Sequence, residues 1–328
     1  MASTSRQRGL PRQLAQRLAS RLALAALLCA ATAAGGWAGR PATWRQQPAA
    51  PLFTFGVIAD VQYRDAAPSG TRFYRESATK LAEAVDRLNA LRPAFTVQLG
   101  DLVDGAFASY DAVLPIFARL RSPGYHVLGN HDQSVEPERQ AEVLRRLGLD
   151  RLGGGRGYYD FARDGWRFVV LNGNDLSVVA YPENSPEKNA AIKVLEALKT
   201  ANAPNAQIWN GGIGAGQMEW LKRTLARAAA SRERVVVFCH FPVLPAGSTT
   251  LWNDRELVLA LDACPTLVAY VCGHKHEGDY VERNGVHFVT LQGMIEGHET
   301  AFALVEVHRD RLEMKGFGRE GSRTLTLR

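Results

Sequence analysis

Apolar residues along the chain follow two rhythms. Short continuous runs, Phe53 to Ala59, Phe95 to Leu99, Tyr125 to Leu128, Val235 to Cys239 and Leu267 to Cys272, read as strands buried on both faces. Between the first two, Ala78, Leu81, Ala82, Val85 and Leu88 recur at helical spacing, predicting an amphipathic helix over Arg75 to Leu91 that Pro93 stops. Further helices are expected over Asp111 to Leu120, Pro137 to Leu147, Gln217 to Ser231 and Asp254 to Leu261. Strand-helix-strand alternation implies right-handed crossovers and a largely parallel sheet. Gly153-Gly154-Gly155, followed by Tyr158 to Phe161 and Trp166 to Leu171, suggests a hairpin joining strands. Residues 172 to 216 are loop-rich, with Pro182, Pro204, Gly211 and Gly212 around one helix from Pro186 to Thr200. Such an insertion is either a lid or binding loop, or a plain surface excursion. Short strands are expected from there through Val307, and no internal repeat is present.

The polar residues that end the apolar runs carry the chemistry. Asp60 and Gln62 follow the first run, Asp101 and Asp104 the second, and Asn130, His131 and Asp132 the third. His240 follows the fourth, and His274 and His276 the fifth. A parallel sheet presents function at the carboxyl ends of its strands. Gly129-Asn130-His131-Asp132 alone could be an ordinary turn, but five runs ending in oxygen or imidazole donors are economically explained by a two-metal site. Asp101 is the natural bridging carboxylate, with Asp60, Gln62 and His276 completing one site and Asn130, His240 and His274 the other. His131 is spare in this count and is placed to protonate a leaving oxygen or to hydrogen-bond phosphoryl oxygens. Asp104 is expected to orient the ligands from behind, whereas Asp132 reads as a solvated turn residue. His126, His287 and His308 read as structural, and His298 stays open. Tyr63, Tyr74, Tyr181 and Trp252 could stack a base or simply pack.

Charge changes the picture mainly by where it lies. The net charge of +6 suggests a polyanion partner, yet residues 1 to 52 hold seven arginines and no acid. Without them 32 basic residues face 33 acidic ones, so the body is near neutral and neither nucleic acid nor a membrane is an expected partner of the mature domain. The apolar stretch Leu22 to Ala34 behind the arginines, with Ala31-Thr32-Ala33 as a cleavage site, fits a secretory signal and export to the periplasm or medium. An organelle transit peptide is the alternative. Loss of Cys29 with this leader leaves Cys239, Cys264 and Cys272, which read as buried thiols rather than a disulfide framework. Residues 53 to 328 then form one catalytic domain.

The motifs Asp60-x-Gln62, Gly100-Asp101-x-x-Asp104, Gly129-Asn130-His131-Asp132, His240 and Gly273-His274-x-His276 resemble, in order, the signature of calcineurin-like metallophosphoesterases. That resemblance implies an α/β fold, a four-layer sandwich of two mixed β-sheets flanked by helices, and a dimetal centre. The commonest pattern has histidine where Gln62 stands, and an amide oxygen is a harder ligand, favouring Mn or Mg over Zn or Fe. Asp60-Val61-Gln62-Tyr63, Gly211-Gly212-Ile213-Gly214 before Gln217, Leu251-Trp252-Asn253 and His276-Glu277-Gly278-Asp279-Tyr280 look like the manganese-dependent ADP-ribose/CDP-alcohol diphosphatase branch. Lys275 departs from the acidic residue expected there. The branch implies a small-molecule nucleotide conjugate as substrate and pyrophosphate hydrolysis as the reaction. A phosphomonoesterase or phosphodiesterase would use the same centre, while a non-catalytic scaffold would have eroded these ligands.

Overall fold

The computed structural model describes residues 50–327, so the expected leader at 1–34 lies outside the described residues. Each apolar run forms a strand, because continuous β-branched and aromatic stretches can bury both faces. In the first sheet β1 (Phe53–Ile58), β2 (Phe95–Gln98) and β3 (Gly124–His126) run parallel. On the other side of β1 the sheet continues antiparallel through β10 (Ala301–Val307), β11 (Arg311–Gly318) and β12 (Arg323–Thr326). The second sheet has the order β4 (Tyr159–Arg163), β5 (Trp166–Val170), β6 (Arg234–Phe238), β7 (Leu267–Cys272), β9 (Val286–Gln292), β8 (Glu277–Arg283). Its four inner strands are parallel and its two edges antiparallel.

The sheets meet through phenylalanine. Phe55 and Phe95 from the first contact Phe168 of the second at ring separations of 5.6 and 4.8 Å, and Phe168 stacks on Phe238 at 6.0 Å. Offset and edge-to-face packing of this kind adds to the burial of large apolar area. Helix α1 (Glu76–Leu91) buries Leu81, Val85 and Leu88 in the core cluster of the first sheet, beside α2 (Tyr110–Phe117). After the short α3 (Asn130–Gln133) and α4 (Val143–Arg146), α5 (Pro186–Thr200) is capped by the Ser185 hydroxyl, which accepts from Lys188 N. Helices α6 (Ala215–Ala230) and α7 (Asp254–Asp262) pack Met218, Leu221, Leu225, Leu257 and Leu261 onto the second sheet. The result is helix, sheet, sheet, helix: the four layers expected.

Three local expectations needed correction. Residues 137–147 form a 3₁₀ turn followed by a four-residue helix rather than one continuous helix. The C-terminal hairpin β11–β12 was not anticipated; β11 alternates buried and exposed residues and is short of a continuous apolar run. Residues 130–133 are a helical turn, not an open one. Among the described residues no helix is long and apolar enough to cross a membrane, and Cys239, Cys264 and Cys272 are all buried.

Candidate active site

The chain turns abruptly at four of the predicted ligands. Asp60, Gln62, Asp101 and His274 adopt φ of 51°, 44°, 55° and 69°, a left-handed conformation that costs a non-glycine residue roughly 1 kcal/mol or more. Main-chain bonds hold the strain: Gln62 N donates to Asp101 O at 2.8 Å and Asp60 N to Gly100 O at 3.3 Å. Two glycines let the turns close together. A Cβ on Gly129 would overlap Asp101 Oδ1, and one on Gly273 would overlap Asp60 Oδ2.

These turns gather all seven expected side chains. His240 Nε2 lies 3.2 Å from Asp101 Oδ2, 3.1 Å from Asn130 Oδ1 and 3.1 Å from His274 Nδ1. His276 Nε2 lies 3.6 Å from Asp60 Oδ1 and 3.2 Å from the Gln62 amide, which reaches Asp101 Oδ2 at 3.0 Å. Asp101 thus stands between the two groups. All but His274 are buried.

The outer partners of the histidines fix their tautomers. His240 Nδ1–H donates to Leu99 O at 2.9 Å, since a carbonyl only accepts. His276 Nδ1–H donates to Glu296 Oε1 at 2.7 Å. The Asn210 amide nitrogen donates to Asn205 O and Ser248 O, so its oxygen accepts from His274 Nε2–H at 3.0 Å. Each ring, when neutral, therefore turns a lone pair inward, toward the neighbouring carboxylates and amides. A cluster so rich in acceptors, in which the Gln62 amide nitrogen donates to Asp101 Oδ2, fits divalent cations, and Gln62 Oε1, buried without a hydrogen-bond partner, could serve one further. Manganese or magnesium suits the oxygen-rich group, and imidazole nitrogen also accepts zinc or iron.

Electrostatics point the same way. Burial opposes charge on Asp101, yet His240, His131 and His274 hold its carboxyl well below the usual carboxylate range. Burial likewise opposes charge on His240, but Asp101 prevails and pushes the imidazole up to about 9. Asp60 is raised by burial, and His274 is driven far down by burial and by His240. The buried carboxylates thus draw positive charge toward the cluster.

Around this core, His131 Nδ1 bonds Asp104 Oδ1 at 2.8 Å, so Asp104 orients His131 rather than a predicted ligand. Asp132 overturns the expectation of a solvated turn. It is wholly buried and accepts from Asp101 N at 2.8 Å, Leu102 N at 3.0 Å, Gly129 N at 3.0 Å and the Tyr110 hydroxyl at 3.2 Å. It ties the turn after β2 to the turn after β3, and burial and Asp101 together raise its pKa to about 6.

A cleft of about 790 Å³ opens over the cluster, lined by Gln62, Asn130, His131, His274 and His276 and by Arg64, Arg72, Lys275, Ile208 and Trp209. Residues of the 172–216 insertion thus form one wall of the cleft. The four aromatics considered from the sequence do not line this cleft. Trp252, for example, is buried with its indole N–H on Gln207 O. The exposed Trp209 takes that place, its neighbour Asn210 being fixed by its three hydrogen bonds. His126 and His287 are buried within the sheets, and His298 pairs with Glu76 at the surface, outside the cleft lining.

Two sheets that converge strand ends on paired cation-binding groups beneath an open cleft define a metal-dependent hydrolase of phosphate compounds. Residues 53–278 match calcineurin-like phosphoesterases, and the chain belongs to that family. A manganese-dependent ADP-ribose/CDP-alcohol diphosphatase of Arabidopsis thaliana is 32% identical over 300 residues, spanning 82% of this chain and 95% of the relative. The human protein of that name is 31% identical, over 84% of this chain and 92% of its own. A dimetal phosphatase from Danio rerio, solved by crystallography, superposes with a TM-score of 0.78 at 30% identity, covering 85% of this chain and all of that one.

Proposed function

We propose that the protein hydrolyses the pyrophosphate bond of a nucleoside diphosphate conjugate, of ADP-ribose or CDP-alcohol type, giving a nucleoside monophosphate and a phosphorylated alcohol. The observation that carries this reading is the convergence of the side chains of Asp60, Gln62, Asp101, Asn130, His240, His274 and His276 beneath the cleft. The names of relatives matched over most of both chains supply the substrate class. Asp60, Gln62 and His276 would hold one divalent ion and Asn130, His240 and His274 the other, with Asp101 shared. Two such ions, manganese by preference, supply a clamp for phosphate and lower the pKa of water toward neutrality.

The chain's own groups do the rest. The Asp104 carboxylate fixes His131 Nδ1–H, leaving Nε2 for the cleft, which His131 lines. Burial works against the charge of His131, but Asp101 and Asp104 raise its pKa above the ordinary histidine value. In that state Nε2–H donates to the leaving oxygen or to a phosphoryl oxygen. Arg64, Arg72 and Lys275 bring positive charge to the second phosphate, and Trp209 offers a face for the base.

Product analysis tests the reading. With Mn, ADP-ribose and CDP-choline should release AMP and CMP at least tenfold faster than p-nitrophenyl phosphate or a cyclic nucleotide is cleaved. Turnover confined to the monoester or cyclic diester would sink the substrate assignment while leaving the centre. The arginine-rich, acid-free leader supports a further proposal, that the segment 1–34 directs export and that cleavage follows Ala33. Sequencing the N-terminus of the mature protein checks it: a start after Ala33 is expected, and a retained leader refutes it.

A further inference from the structure

The far end of the first sheet carries a second cluster of donors. Glu306 on β10 and Glu313 on β11 are register partners, directly opposite on an antiparallel pair, and His308 lies in the turn that joins the strands. Glu306 pairs with Thr54, six residues before Asp60. At about 3.3 Å per residue this places the cluster about 20 Å along the strand from the catalytic end.

Like charges facing each other across a ladder repel, so this hairpin needs cations. Lys315 pairs with Glu306 Oε1, and Arg311 lies 3.5 Å from Glu313 Oε2. They leave His308 unexplained. The side chain is 94% buried, as its exposure of 6% records, and its Nε2 has no hydrogen-bond partner. That nitrogen sits 3.5 Å from Glu306 Oε2 and 3.7 Å from Glu313 Oε2. An imidazolium would draw a carboxylate in to about 2.8 Å. Atoms bound tetrahedrally to one ion at about 2.1 Å are instead about 3.4 Å apart, close to the two separations from His308 Nε2, and the three donor atoms all lie within 4.8 Å of one another.

We infer that Glu306, His308 and Glu313 form an accessory divalent-cation site that clips the β10–β11 hairpin. One imidazole with two carboxylates, three protein ligands and a position for water, suits zinc or a similar borderline ion. The site is separate from the catalytic centre and does not depend on the function assigned there.

Zinc content of the full chain decides the matter. Chelator-stripped wild type, His308→Asn and Glu313→Gln are equilibrated with zinc, desalted and assayed for metal. Wild type should retain about one more zinc per chain than either variant, and zinc should raise its Tm more than theirs. Cobalt loading should add a visible tetrahedral band that both variants lack. Mn-dependent turnover should be alike in all three. Equal zinc content and equal Tm response in wild type and Glu313→Gln would overturn the site, leaving an imidazolium between two carboxylates. Glu313 is partly exposed, so its variant decides the question even if His308→Asn fails to fold.

Discussion

The first sheet brings oxygen to the catalytic centre, and the second brings nitrogen. Asp60, Gln62, Asp101 and Asn130 follow β1, β2 and β3, whereas His240, His274 and His276 follow β6 and β7. The halves need opposite support. Carboxylates need donors, and backbone amides serve: His274 N donates to both oxygens of Asp60 at 3.1 Å, and His131 N to Asp101 Oδ1 at 2.8 Å. Imidazoles need acceptors to fix their tautomers, and Leu99 O, Asn210 and Glu296 serve. The oxygen half is therefore built mostly from strained turns, and the nitrogen half leans on side chains from remote loops.

Asp101 belongs to both halves, so its loss should be the most damaging. Asp101→Ala should lower Mn-dependent kcat by about 10³-fold or more while circular dichroism stays native. Survival of activity would break the scheme of a shared carboxylate. Asp132→Ala strikes the oxygen half alone. It leaves several buried amides without an acceptor, and a stability loss of about 3 kcal/mol is expected in urea titrations. Tm and urea midpoints close to wild type would show that those amides need no carboxylate. The nitrogen half is probed by Glu296→Gln and Asn210→Ala, each expected to weaken Mn binding about 10- to 100-fold with little change in fold. Unchanged metal affinity in both would mean that the tautomers are set some other way. Next to Asn210, Trp209→Ala should leave metal binding intact and raise KM for ADP-ribose about fivefold or more. An unaltered KM would remove the base from that wall.

The same asymmetry explains what could be read from sequence. Every predicted ligand lies within four residues of the end of an apolar run, so periodicity located it. Asp132 follows the same rule yet was misjudged, because its three amide partners come from turns after two different strands. Glu296 and Asn210 sit in loops with no apolar rhythm nearby, and only the packed fold brings them to His276 and His274. Trp209 was passed over for Trp252, which is buried in a cluster with Val178, Ala191 and Leu195. Helix bounds held best where a cap or proline fixed them, as at Ser185-Pro186 for α5, and worst in 137–147, where a 3₁₀ turn replaces the first helical turns. The accessory cluster escaped notice because Glu306 and His308 alternate with apolar Val305 and Val307 at a strand end, while Glu313 comes from the next strand.

A pH-dependent effect separates carboxylate influence from burial. His126, at the end of β3, and His240 are both buried. Asp101 drives His240 up to about 9, whereas His126 is lowered to about 4 by burial with no carboxylate to oppose it. Its nearest polar contact is Gln98 Oε1 at 3.4 Å from Nδ1, and its ring lies on Phe117. A folded-state pKa below the unfolded value means that the unfolded chain takes up a proton which the native state refuses. Stability from this source is complete above about pH 6.5 and is lost as pH falls toward 4, amounting to about 3 kcal/mol across the window. Urea midpoints taken from pH 7 to 4 should fall for wild type and fall less for His126→Asn, which keeps a donor for Gln98 and is expected within about 1 kcal/mol of wild type at pH 7. Parallel slopes in the two proteins would shift the acid sensitivity to the buried carboxylates, and burial alone would then not account for His126.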